Sequence, residues 1–137
     1  MSLSQEVEAF LRQPNICVLA TTGADGSPHA MPMWYVFRDG DILFAAGLKS
    51  QKVRNIERTG RATVVVDQRE KPYYAVMLPG TATIEAGLSE ADSLALFSRY
   101  LEGDELRRYV ANSKGGDSVA IRVRPERFVE FHGRAGT

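Results

Sequence analysis

The short spacing of the strand-like segments is the feature that most constrains how this chain folds. Runs of apolar and β-branched residues follow one another closely, separated by turn signals such as Asp25-Gly26 and Asp39-Gly40. The gaps are too short for repeated βαβ units, so the sheet is expected to be antiparallel. A closed or partly closed barrel hides the edges of such strands. We therefore predict a single α+β domain over residues 1–137, with a six-stranded antiparallel barrel and peripheral helices.

Two prolines make the second predicted strand, residues 27–37, unusual. Pro28 and Pro32 are four residues apart, so their missing N–H groups face the same side of the strand. That side cannot carry a full ladder of hydrogen bonds. It is therefore either an edge of the sheet or a surface that faces something other than a strand.

The short helix predicted over residues 51–58 has an unusual charge at its start. The two later predicted helices carry acidic residues in their first turns, where the positive end of the helix dipole favours them. Here Ser50, the predicted N-cap, is preceded by Lys49 and followed by Gln51 and Lys52. A bound anion would compensate these cations, so this turn is a candidate phosphate site. The alternative is that both lysines are solvated surface residues.

Composition and motif content exclude several functions. The 17 basic residues are matched by 17 acidic ones, which argues against a nonspecific nucleic-acid binder. The single cysteine, Cys17, lies in an apolar run and is expected in the core, while His29 and His132 are far apart, so no metal site is predicted. No glycine-rich nucleotide motif or nucleophile elbow occurs. No apolar stretch reaches the ~20 residues that span a bilayer, and no signal peptide is recognisable, so a cytoplasmic location is expected.

An ordered series of short motifs extends over most of the chain. The motifs are Leu19-Ala20-Thr21-Thr22, Asp25-Gly26-Ser27-Pro28-His29, Pro32-Met33-Trp34-Tyr35, Asp39-Gly40-Asp41-Ile42-Leu43-Phe44, Lys52-Val53-Arg54-Asn55-Ile56, Arg61-Ala62-Thr63-Val64, Asp67, Pro72-Tyr73 and Gly80-Thr81-Ala82. Each motif is degenerate alone, but their order is fairly specific. The series resembles the pyridoxamine 5′-phosphate oxidase-like split barrels, and most of all their flavin- and deazaflavin-dependent oxidoreductase branch. The resemblance covers roughly residues 3–131.

The resemblance implies a split barrel that binds two cofactors at the interface of a homodimer. In the family, the strand that corresponds to residues 31–35 lies along the cofactor ring, and Lys52 matches a phosphate-binding lysine. Ala45 and Ala46 stand where a hydroxyl residue is common in the family. The candidate cofactor-binding residues are Met31, Pro32, Met33, Trp34, Ala45, Ala46, Lys49, Ser50, Gln51, Lys52 and Tyr73.

An excess of large side chains independently favours a homodimer. One small barrel is not expected to enclose all of them, and aromatic residues and methionine are enriched at protein interfaces. The side chains concerned are Met31, Met33, Trp34, Tyr35, Tyr73 and Tyr74.

The resemblance also implies redox chemistry. The second strand lacks the basic flavin motif of true pyridoxamine phosphate oxidases, so vitamin B6 oxidase activity is not expected. We expect an oxidoreductase that uses the deazaflavin coenzyme F-420, or FMN, to transfer hydride to a small, flat, unsaturated organic substrate. The alternative is a non-catalytic carrier of a cofactor or a tetrapyrrole. No catalytic side chain is evident, and Tyr73 and Tyr74 are candidate proton donors that are more often barrel wall.

Overall fold

One antiparallel sheet and its surrounding helices account for residues 2–133, the part of the chain that this computed structural model describes. None of the helices in that part is long and apolar enough to cross a membrane. The helices are α1 (Gln5–Leu11), α2 (Gln51–Thr59), α3 (Glu90–Phe97) and α4 (Gly103–Asn112). The strands are β1 (Cys17–Thr22), β2 (Pro28–Met33), β3 (Val36–Arg38), β4 (Asp41–Gly47), β5 (Arg61–Gln68), β6 (Tyr74–Glu85), β7 (Ser118–Pro125) and β8 (Val129–His132).

Strands β2 and β3 lie at opposite ends of the sheet, although only Trp34 and Tyr35 separate them in the chain. The order across the sheet is β2-β1-β5-β6-β7-β4-β3, and β8 pairs with β6 outside this path. A sheet whose ends are joined by so short a connection must curl until the two ends approach each other. The result is a barrel that is split between β2 and β3, at a junction that we call the seam. The predicted α+β split barrel is thus confirmed.

In the described part of the chain the sheet has eight strands, where six were predicted. The predicted strand over residues 27–37 is divided into β2 and β3, because the chain passes from one end of the sheet to the other at Trp34 and Tyr35. A separate strand, β8, follows Pro125, the last residue of β7. Pro28 and Pro32 lie on β2, which within residues 2–133 pairs only with β1, so of the two predicted alternatives the sheet edge is the one observed.

Two apolar clusters hold the sheet and the helices together. The larger cluster fills the barrel and includes Tyr35, Phe44 and Leu78, all fully buried. The smaller cluster lies between the α3–α4 pair and strands β3 and β4, and its buried residues include Leu96 and Phe97. Trp34 packs against this second cluster, so the α3–α4 pair is held beside the seam.

The helix ends follow local sequence signals with one exception. Ser50 is the N-cap of α2, as predicted, and Gly60, with a φ of 67°, ends that helix. Ser2 and Gln5 have the spacing of a capping box, which predicts that α1 starts at Ser2, and this prediction is wrong. The hydroxyl of Ser4 instead accepts a hydrogen bond from the Val7 N–H and caps the helix.

Candidate cofactor-binding site

A cleft of about 810 Å³ opens at the seam, and we call it the seam cleft. Its walls come from the end of β2, the end of β4, the α3–α4 pair and the turn that leads into β7. The strand side is apolar and the turn side is polar. The lining residues are Ile16, Pro32, Met33, Trp34, Ala45, Ala46, Gly47, Leu96, Phe97, Tyr109, Asn112, Ser113, Gly115, Gly116, Asp117 and Ser118.

The free edge of β2 borders the seam cleft. Among residues 2–133 this strand pairs with β1 alone, so its other edge has no strand partner. Pro32 lines the cleft and has no N–H group, which prevents a further strand from completing a ladder there. Backbone groups along an unpaired edge take their hydrogen bonds from solvent or from a ligand. A flat ligand can therefore lie along this edge, where another strand cannot.

Trp34 is the aromatic wall of the seam cleft, and its own chain holds it in place. The indole stacks on the ring of Tyr100, with centroids 5.0 Å apart and 8° between the planes. The rings of Phe97 and Tyr109 contact it at centroid distances of 6.3 and 5.7 Å. Since Trp34 is packed on several sides, it presents a fixed apolar surface to a ligand.

The start of α2 lies directly beyond the Gly47 end of the cleft. Its first turn contains no acidic residue, and Ser50 makes no side-chain capping bond. The hydroxyl of Ser50 instead donates to the Gly47 carbonyl oxygen at 2.7 Å. The N–H groups of the first turn therefore receive no capping bond from Ser50, and Lys49 and Lys52 flank them. This end of α2 is suited to an anion.

A buried asparagine fixes the position of α2. Asn55 is fully buried, and its Nδ2 donates to Oγ1 of Thr21 on β1 at 3.0 Å. Its Oδ1 accepts a hydrogen bond from Nε2 of Gln51 at 2.7 Å. This polar contact ties the first turn of α2 to the barrel wall, so the orientation of the cationic helix start depends on it.

The structure brings some of the predicted site residues together and separates others. Met31 lies on β2 outside the cleft lining and is 41% exposed. Lys49, Ser50, Gln51 and Lys52 form the adjoining helix start rather than the lining itself. Those that line the seam cleft are Pro32, Met33, Trp34, Ala45 and Ala46.

The two candidate proton donors lie away from the seam cleft. Tyr73 and Tyr74 line a separate hollow of about 300 Å³. The hydroxyl of Tyr74 donates to Oε2 of Glu130 at 2.7 Å, and its ring packs edge-on against Phe10. The tyrosine that does line the cleft, Tyr109 on α4, was not among the predicted site residues. Leu106, Tyr109 and Val110 follow helical spacing along one side of α4, but no local signal indicates which strands that side faces.

The seam cleft contains few ionisable groups. Among its lining residues these are Tyr109 and Asp117. Within residues 2–133, no cluster of His, Cys, Asp and Glu side chains could hold a metal ion. Cys17 is buried, as predicted, and its Sγ donates to the Met33 carbonyl oxygen at 3.4 Å. Burial raises the pKa of the Cys17 thiol to about 12, so this residue is not a nucleophile.

The residues present fit a flat ring that carries a phosphate-bearing side chain. Met33 and Trp34 provide apolar contact for a ring, while Ala45 and Ala46 leave room beside it. The helix start at Gln51 provides N–H groups and positive charge for a phosphate. A hydroxyl residue is common at the positions of Ala45 and Ala46 in the family that the chain resembles. Because both residues here are alanines, that hydroxyl contact is absent.

Comparisons with known proteins agree with the split-barrel fold. A conserved hypothetical protein from Mycobacterium tuberculosis superposes with a TM-score of 0.81 at 27% identity, over 98% of this chain and 88% of that one. An F-420 reductase superposes with a TM-score of 0.76 at 28% identity, over 93% of this chain and 98% of that one. HutZ, the heme storage protein of Vibrio cholerae, shares the fold, with a TM-score of 0.72 at 18% identity over 96% of this chain and 95% of that one.

Sequence comparison identifies the family directly. A search of the curated proteins finds no significant match. The family model for pyridoxamine 5′-phosphate oxidase, however, matches residues 3–132, nearly the whole chain. The protein therefore belongs to the pyridoxamine 5′-phosphate oxidase-like family of split barrels.

Proposed function

We propose that this protein is an oxidoreductase that holds coenzyme F-420, or FMN, in the seam cleft and reduces a small, flat, unsaturated organic molecule. The proposal rests on one observation: an apolar cleft lies beside a cationic helix start. Gly47 lines the cleft, and the chain leads from it into the start of α2. Both cofactors combine a flat ring with a ribityl phosphate. The F-420 reductase that matches at 28% identity over 98% of its length favours the deazaflavin.

The residues of the chain divide into a ring end and a phosphate end. At the ring end, Met33 and Trp34 hold the flat system and exclude water. At the phosphate end, Lys49 and Lys52 bind the anion together with the N–H groups of the first turn of α2. The backbone supports this arrangement, because the Leu48 N–H donates to the Asp117 carbonyl oxygen at 2.8 Å and joins the two turns that flank the cleft.

The reduced cofactor, when bound, supplies a hydride, and the protein must supply a proton. Tyr109 is the tyrosine that lines the seam cleft, and its ring contacts Trp34. Asp117, the other ionisable lining residue, lies in the turn before β7, on the polar side of the cleft. We therefore assign proton donation to Oη of Tyr109, in place of Tyr73 or Tyr74.

We further propose that a second copy of the chain covers the outer face of the sheet. Directly opposed residues form an apolar row across five strands of that face: Pro32, Val18, Val65, Met77 and Val129. Met77 is 37% and Val129 is 43% exposed, so the row is uncovered in the single chain. The row begins at Pro32, which also lines the seam cleft, so a partner seated on it would lie beside the site.

Four of the six large side chains from which the sequence predicts a dimer pack within one chain. Tyr35 is fully buried in the barrel, and Trp34 is stacked on Tyr100. Met33 and Tyr74 pack against the main core. Met31 and Tyr73 are 41% and 38% exposed, and neither belongs to the uncovered row.

An absorption titration of the purified protein with F-420 and with FMN tests the proposed function. We expect saturable binding of at least one of them, followed by reoxidation of the reduced complex by quinones or enones under anaerobic conditions. Oxygen is expected to be the slower acceptor with F-420. Binding without reoxidation by any acceptor, including a biliverdin-like tetrapyrrole, would indicate a carrier. Absence of binding for both cofactors would refute the proposal.

A further inference from the structure

Tyr100 connects the two ends of the split sheet. Its hydroxyl lies 2.8 Å from the carbonyl oxygen of Asn15, which precedes β1, and 3.2 Å from the carbonyl oxygen of Tyr35. The same hydroxyl oxygen accepts the Tyr35 N–H at 3.4 Å. Tyr35 leads into β3 at one end of the sheet, while the Asn15 segment leads into β1 beside the other end. One side chain from the segment after α3 therefore bonds to both sides of the seam.

The neighbouring Arg99 strengthens this connection. Its guanidinium donates to the carbonyl oxygens of Arg12 at 3.0 Å and Gln13 at 2.6 Å, which follow α1. The same group lies over the ring of Tyr35, 4.8 Å from its centroid. The segment after α1 and the seam are thus held by two consecutive residues, so their relative position depends on the end of α3.

The two residues to which the Tyr100 hydroxyl bonds, Asn15 and Tyr35, are neighbours in sequence of residues in the wall of the seam cleft. Ile16 and Trp34 line the cleft, and they adjoin Asn15 and Tyr35 in sequence. The Tyr100 ring also stacks directly on the indole of Trp34. We propose that Tyr100 is the positioning residue of the cleft: it fixes the Trp34 ring and the Ile16 segment at the spacing that a flat ligand requires. The effect on ligand binding rests on the proposed function, whereas the effect on Trp34 does not.

The rival interpretation is that Tyr100 is an ordinary packing residue. Loss of its hydroxyl would then lower stability without changing the cleft. The two interpretations predict different changes in the fluorescence of Trp34, which is the only tryptophan in the chain. Its fluorescence is therefore a direct probe of the wall, in the free protein as well as in a complex.

The experiment compares Tyr100→Phe, which keeps the stacked ring and removes the hydroxyl, with Tyr100→Leu, which removes both. Tyr74→Phe is the matched control, because its hydroxyl bonds to Glu130 and its ring packs in the main core away from the cleft. For Tyr100→Phe we expect acrylamide quenching of Trp34 to rise by about twofold and the Kd for FMN or F-420 to rise at least about fivefold. We expect larger changes for Tyr100→Leu and no change in either quantity for Tyr74→Phe.

The proposal fails if Tyr100→Phe leaves quenching and Kd unchanged, or if Tyr74→Phe alters both as much. Should Tyr100→Leu not fold, Tyr100→Phe decides alone. Should neither cofactor bind the wild-type protein, the proposed function fails. The quenching comparison on the free protein still accepts or rejects the role of Tyr100.

Discussion

The indole of Trp34 and the phenol of Tyr100 are stacked 5.0 Å apart, although the first lies at the seam and the second follows α3. This contact explains how a barrel with an open side keeps a defined binding surface there. The strands alone would leave Trp34 at the junction of two sheet ends. The α3–α4 pair supplies the second layer of aromatic rings, so the wall of the seam cleft belongs jointly to the barrel and to its helices.

Replacement of Lys52 is expected to weaken ligand binding and to leave the fold intact. Of the four helices in residues 2–133, α2 is the one whose first turn contains no acid. Removing a cation from that position costs no stability, because the helix dipole disfavours it there. A charge-assisted bond to phosphate contributes ~1.5–3 kcal/mol, so Lys52→Ala should raise the Kd about tenfold or more.

Titration of the Lys52→Ala protein with FMN and F-420 checks this, alongside thermal unfolding. Arg54→Ala is the matched control, since Arg54 is an exposed cation in the same helix beyond the cap. Equal Kd values for Lys52→Ala and the wild type, with both ligands, would show that the start of α2 does not bind the phosphate.

Asn55 is expected to contribute strongly to the stability of the fold. Its amide is fully buried and bonded to Thr21, which is itself buried. Asn55→Ala leaves that hydroxyl without its donor and opens a small cavity, so the free energy of unfolding should fall by about 2 kcal/mol. Glu57→Ala is the control, because Glu57 is exposed on the same helix and its loss should cost less than about 0.5 kcal/mol. Urea unfolding measures both, and similar losses for the two variants would contradict the role given to Asn55.

Local signals in the sequence predicted the strands, the sheet edge at Pro28 and Pro32, and the cap of α2 at Ser50, because each depends on neighbours in the chain. The contact between Tyr100 and Asn15 could not be predicted in this way, since 85 residues separate them. Helical spacing identifies an apolar side of α4 but not the strands that it faces. For this reason the sequence predicted the strand side of the cleft, while the helical side, with Tyr109, came only from the structure.

A charge placed on the outer face of the sheet is expected to prevent dimer formation. Met77 lies directly opposite Val129 and Val65 in the uncovered apolar row. Met77→Asp should convert a dimer into a particle of 15.1 kDa, the mass of one chain, because an unpaired carboxylate is costly to bury at an interface. Sedimentation at micromolar concentration measures the change. Ala91→Asp, at an exposed position on α3, which packs on β3 and β4 and not on this row, is the control that should remain dimeric. A wild-type protein that sediments as a single chain would refute the dimer itself.

Ionisation of Cys17 is expected to make the fold less stable at alkaline pH. Burial raises the pKa of its thiol from 9.0 to about 12, so the folded state keeps a proton that the unfolded state releases. The contribution of the protonated thiol to the free energy of unfolding is complete below pH 9.0 and is lost as the pH rises toward 12. The free energy of unfolding should therefore fall by up to about 1.4 kcal/mol per pH unit in this window.

Cys17→Ala isolates this contribution. Burial also raises the pKa of the Tyr35 phenol, but the wild type and Cys17→Ala share this effect, so it cancels in the comparison. Urea unfolding of the variant and the wild type, at a series of pH values above neutrality, should give a shallower decline for the variant once the pH exceeds 9.0. Parallel declines would mean that the thiol ionises equally in both states.

Removal of the Tyr109 hydroxyl is expected to slow turnover without weakening cofactor binding. No residue of α4 is buried, so the fold should tolerate the substitution. The ring of phenylalanine keeps the contacts that Tyr109 makes with Trp34 and Phe97, at centroid distances of 5.7 and 5.5 Å. Tyr109→Phe should therefore bind F-420 or FMN as the wild type does, while a lost general acid lowers the rate of substrate reduction by about 100-fold or more.

The comparison with the other tyrosines makes this result specific to Tyr109. Tyr73→Phe and Tyr74→Phe change hydroxyls in the separate hollow, so anaerobic stopped-flow on the reduced complexes should give wild-type rates for both. A solvent isotope effect on substrate reduction should be present in the wild type and altered in Tyr109→Phe, because the transferred proton then comes from water. If Tyr109→Phe reduces an enone at the wild-type rate, the proton has another source, and Tyr109 is only part of the wall. If Tyr73→Phe or Tyr74→Phe is the slow variant instead, the reacting end of the ligand lies at that hollow and not at the seam.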